Sequence, residues 1–139
     1  MTAQEQKHPP NERGTVLADV ANAMVRLHKQ QFGRGPTAAR ANYTGDDGMV
    51  VSLREGLLPA ERGLVELGEI QRVQESRLFF QEATRGLFID AIEEIVQRKV
   101  TSFASACDPR TEVIWEIFEF EPATGPRATP SRQAPRIAL

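Results

Sequence analysis

The chain has 139 residues, 40% hydrophobic and 26% charged, which is enough for one core and too short for two. Its 17 Lys and Arg against 19 Asp and Glu leave a net charge of −2, so bulk electrostatic attraction to nucleic acid or anionic lipid is not expected. No apolar run reaches membrane-spanning length, the N-terminus lacks an apolar signal core, and a single cysteine, Cys107, can make neither an internal disulfide nor a Cys-rich zinc site; together these predict a soluble, cytoplasmic protein without direct membrane insertion.

Residues 1–11 are polar, contain Pro9 and Pro10, and lack the apolar periodicity that would offset the entropy of ordering them; they read as a disordered tail. A first helix is expected to begin between Glu12 and Thr15, with Val16, Val20, Met24 and Leu27 recurring every three or four residues and Phe32 closing the stripe. Gly33 then suits a left-handed cap, and Gly35-Pro36 prevents the helix from resuming. Alternation of Ala39, Ala41 and Tyr43 with polar residues, the turn sequence Gly45-Asp46-Asp47-Gly48, and alternation of Met49, Val51 and Leu53 predict a β-hairpin over 37–54.

Pro59 with Glu61 close behind predicts a short helix through about Leu67. Beyond Gly68, one long helix is expected over Glu69 to Arg98, with Ile70, Val73, Phe80, Leu87, Ala91 and Ile95 as its apolar positions. At ~1.5 Å per residue it would span roughly 40 Å, so part of it is expected to pack outside its own monomer. Lys99 to Cys107 reads as a strand, Asp108-Pro109-Arg110-Thr111 as a turn, and Glu112 to Glu121 as the last strand. The fold class is α+β: one two-layer domain over 12–121, ordered α-β-β-α-α-β-β, with antiparallel hairpins packed on the long helix.

The segment 122–139 holds Pro122, Pro126, Pro130 and Pro135, with Arg127, Arg132 and Arg136 and no acidic residue. It reads as a second disordered tail. Its three arginines carry +3 of the total −2, which leaves −5 on the acidic body. In the last strand Val113, Trp115 and Ile117 face one way, and Ile114, Phe118 and Phe120 the other. A single helical layer covers only one of these faces, so a homodimer is expected, with Trp115, Ile117, Phe118 and Phe120 as candidate interface residues.

The sequence supplies no catalytic or metal constellation, and no cofactor motif. His8 lies in the N-terminal tail, and His28 late in the first helix reads as an ordinary helical residue. Cys107 reads as a small strand residue rather than a nucleophile, for want of a basic neighbour in sequence. Glu112, Glu116, Glu119 and Glu121 read as a solvated strand edge. The loop Gly33-Arg34-Gly35 with Arg40 beyond it is a candidate anion site, weighed against a purely structural cap, because glycine N–H groups beside arginines can cup an anion. Leu57 and Leu58 of GLLPAE read as core.

The helix end QFGRGP (31–36), the hairpin segment MVVSLREGLLPAE (49–61), a helix bearing Arg72, Arg77 and Arg85, and the closing VIWEIFEF (113–120) resemble the small proteins of the MpsC-like or YbcI-like family. The resemblance spans roughly residues 13–121, with Gly86 and the Pro/Arg-rich tail as departures. It implies a non-catalytic accessory protein of a sodium-translocating, membrane-potential-generating system, similar to bicarbonate-uptake systems, with subunits of a membrane transport system as partners. It implies no catalytic residues. Two other readings stand beside it: a self-contained dimeric scaffold or small-ligand-binding regulatory module, and an RNA-binding module using Arg34, Arg40 and the tail, which the acidic body opposes.

Overall fold

Helix α1 occupies Pro10–Phe32 in the computed structural model, which describes residues 10–123. The remainder of both segments read as disordered lies outside those residues. The helix starts two residues ahead of the expected Glu12, with Pro10 in the first turn, where a missing N–H costs no helical bond. It ends at Gly33, whose φ of 78° and N–H donated to the Lys29 carbonyl form the left-handed cap that the glycine suggested.

Strands β1 (Ala38–Tyr43) and β2 (Gly48–Arg54) form the hairpin; α2 (Pro59–Glu66), α3 (Ile70–Ala83) and α4 (Arg85–Val96) follow, then β3 (Val100–Asp108) and β4 (Val113–Phe120). The sheet is antiparallel throughout, in the order β1-β2-β4-β3. The two hairpins therefore join through β2 and β4, which sit at the centre. Arg98 ties their ends together: its guanidinium donates to the Asp46 carbonyl, to Asp47 Oδ1 and to the Glu121 carbonyl.

The expected long helix is two helices. Thr84 departs from helical geometry (φ −112°, ψ 15°), and its hydroxyl donates to the Phe80 carbonyl at 2.8 Å. A threonine that can bond its own preceding turn, followed at once by Arg85-Gly86, favours a break over an unbroken ladder.

The buried positions also differ from the apolar reading. On α3 the inward residues are Val73, Arg77 and Gln81, four apart, while Leu78, Phe79 and Phe80 are exposed. On α4 the inward set is Phe88, Ile92 and Val96, with Leu87 exposed. Helices α1 and α4 cover the sheet face formed by Met49, Val51, Leu53, Phe103, Ile114, Phe118 and Phe120. Phe118 and Phe120 thus belong to the monomer's own core and are removed from the candidate interface. Trp115, opposite Ser52, and Ile117, opposite Val50, lie on the other face of the sheet, with Ile117 exposed.

Candidate functional site

The same inward face carries one carboxylate. Glu116 follows the parity of Ile114 and Phe118 and is only 1% exposed, so it is not part of a solvated edge. It is opposite Val51, at the middle of the sheet. His28, equally inward on α1, places Nε2 2.9 Å from Glu116 Oε2. Phe32 and Phe88 flank the imidazole, the latter edge-on at 5.5 Å. A buried carboxylate without such a partner would be strongly disfavoured, so the pair makes each residue's burial possible.

Arg77 sits alongside. Its Nε donates to Glu61 Oε2 at 2.7 Å, and Nη2 donates both to Glu61 Oε1 and to the Gly56 carbonyl. The guanidinium lies over the Phe32 ring, 3.9 Å from its centroid. Glu61 also accepts the N–H of Leu58 at the start of α2, so one carboxylate both caps that helix and holds the arginine. Leu57, one residue earlier, is buried. The GLLPAE segment is thus the anchor that fixes Arg77.

These groups line a partly open cavity of about 40 Å³ between α1, α3 and strands β3 and β4, with the exposed Gln74, Leu78 and Ala106 at its rim. His28, Arg77, Gln81, Cys107 and Glu116 all line it. The Cys107 thiol is pushed up from 9.0 to about 11, mainly by burial, against the opposing pull of Arg77. A thiol held protonated in this way is a poor nucleophile. Three buried polar atoms here, Arg77 Nη1, Gln81 Oε1 and Glu116 Oε1, have no hydrogen-bond partner among the described residues.

The candidate anion residues do not converge. Arg34 is exposed in the loop, and Gly35 packs against Val25 and Lys29 of α1. Arg40 instead lines a separate cleft on the sheet with Ala38, Ala39, Ser52 and Arg54, to which Gly33, Arg34 and Gly35 contribute nothing. Among the described residues no group of three or more His, Cys, Asp and Glu could hold a metal ion. No helix among them is long and apolar enough to cross a membrane.

Sequence reasoning from apolar periodicity missed the convergence of His28, Arg77, Gln81 and Glu116. Two signals for it were present: the four-residue steps from Val73 to Arg77 and from Arg77 to Gln81, and the parity of Glu116 with Ile114 and Phe118.

Residues 12–122, including every residue of this cluster, match the model of the family described as the Na+-translocating membrane potential-generating system (MpsC). The chain belongs to the MpsC family. No curated protein and no solved structure matches it. Membership makes the chain a component type of a membrane-potential-generating system, in keeping with the motifs QFGRGP, GLLPAE and VIWEIFEF, whose residues build the α1 cap, the Arg77 anchor and the central strand.

Proposed function

We propose that this MpsC-family chain is a non-catalytic, cytoplasmic accessory protein that regulates or assembles a membrane transport system through protein–protein contact. The observation that carries this reading is the outward face of α3 and the start of α4. Phe79 is 68% exposed and Leu87 60%, with Leu78 and Phe80 beside them, although the domain's core is complete without them. The Phe79 and Phe80 rings meet at 5.7 Å, and large exposed apolar side chains on an otherwise charged domain mark a contact surface. The raised Cys107 thiol supports the absence of nucleophilic chemistry. Co-purification from the native host tests the reading: the wild type should carry a membrane subunit with it, and Phe79→Glu with Leu87→Glu should lose that subunit while keeping its melting temperature. Equal recovery by both proteins would overturn it.

A second reading, a self-contained homodimer, is favoured by a different surface, the open sheet face with Trp115 and Ile117. Sedimentation of the pure chain at micromolar concentration separates the two: a dimer that Ile117→Glu dissociates supports the scaffold, and a monomer excludes it.

A further inference from the structure

The cavity between α1, α3 and the β3–β4 hairpin combines room with unmet polarity. Arg77, Gln81 and Glu116 line it, each more than nine-tenths buried, and each carries a polar atom without a partner among the described residues. Buried polar groups are nearly always hydrogen-bonded, so three orphans around one cavity point to an occupant. What they require is specific. Arg77 Nη1 is a donor and needs an acceptor, whereas Gln81 Oε1 and Glu116 Oε1 are acceptors and need donors.

Charge narrows the choice. The Arg77 guanidinium is already matched by Glu61 in a two-point pair, so it has no uncompensated charge to offer an anion, and an anion would face the Glu116 carboxylate. A cation such as an amidinium carries no acceptor for the Arg77 Nη1 N–H. A neutral molecule that accepts at one end and donates at the other satisfies all three atoms. Size narrows it further: about 40 Å³ accommodates roughly three water-sized groups.

We propose that this cavity binds a small neutral amide, of about three or four non-hydrogen atoms, whose carbonyl oxygen accepts from Arg77 and whose N–H groups donate to Gln81 and Glu116. The site adjoins the contact surface on α3, because Leu78 lines the cavity and also belongs to that surface. For so small a ligand, affinity in the millimolar range is expected.

Acetamide is the probe, with acetate and acetamidinium as its charged isosteres. Titrated into the full chain, acetamide should shift the side-chain N–H resonances of Arg77 and Gln81 saturably and slow alkylation of Cys107, which lines the same cavity. The two ions should do neither at equal concentration and ionic strength. Gln81→Met, similar in size but without the acceptor, should weaken acetamide binding by about tenfold while melting within a few degrees of the wild type. Should that variant not fold, the comparison of the three probes on the wild type decides. Acetate binding as tightly as acetamide, shifts that never saturate, or a crystal structure grown with acetamide in which only ordered waters meet the three atoms would each overturn the proposal.

Discussion

His28 and Glu116 are 88 residues apart in the chain, yet His28 Nε2 meets Glu116 Oε2 at 2.9 Å inside the core. The contact joins the first helix to the central strand and replaces an apolar contact at a place where Met24, Val51 and Ile114 would otherwise define the packing. Removing one member leaves the other buried alone. Glu116→Leu and His28→Leu should each lower unfolding stability by about 2–4 kcal/mol, and the double variant should cost less than the sum. Urea midpoints of the four proteins test this, and additive losses would show that the two side chains act separately.

Arg77→Lys keeps the charge and loses the geometry. An ammonium cannot hold Glu61 at two points while also donating to Gly56 and covering the Phe32 ring. Stability should fall by roughly 1–3 kcal/mol, and high salt should not erase the difference, because the pair is buried. Thermal melts at low and high ionic strength measure both.

Gly33→Val should destabilise the fold by about 1–2 kcal/mol, because φ at this position is 78° and a β-branched residue resists it. Nothing lies within 4 Å of a Cβ there, so the loss is conformational rather than steric crowding, and Gly33→Asn should recover part of it. Arg34→Ala should leave the melt unchanged, since that side chain is exposed.

Ionisation of Cys107 sets a pH dependence with a definite sign. Burial raises the folded thiol from 9.0 to about 11, so between those values the unfolded chain has begun to lose the proton and the folded chain has not. The unfolded state then binds fewer protons, and stability falls as pH rises through that window; below pH 9 the contribution is fully present. Relative to Cys107→Ala, the wild type should show the steeper decline from about pH 9 to 11 in urea midpoints. Identical slopes would contradict the raised thiol.

Ile117→Glu and Phe118→Glu should behave differently although they are adjacent. Ile117 is on the uncovered face of β4, so its replacement should keep the fold and affect association alone. Phe118 is fully buried and stacks on Phe103 at 4.8 Å, so a glutamate there should prevent folding. Circular dichroism together with sedimentation distinguishes the two outcomes.

Local chemistry in the sequence determined the element order apart from the break at Thr84, the Gly33 cap, the hairpin over 37–54 and the proline start of α2, because each depends on residues within a few positions of one another. It determined the two faces of β4 as well, through the alternation of its side chains. Tertiary structure decided which face the helices would cover, and so sent Phe118 and Phe120 to the core and left Ile117 outside. It also decided which side of α3 turns inward. Hydrophobicity favoured Phe80 for that place, yet Arg77 and Gln81 occupy it, because Glu61, the Gly56 carbonyl and the Phe32 ring, all distant from Arg77 in the chain, together satisfy a buried guanidinium. A charged side chain can be buried only where distant groups converge on it, and that convergence is a property of the fold rather than of any local stretch of sequence.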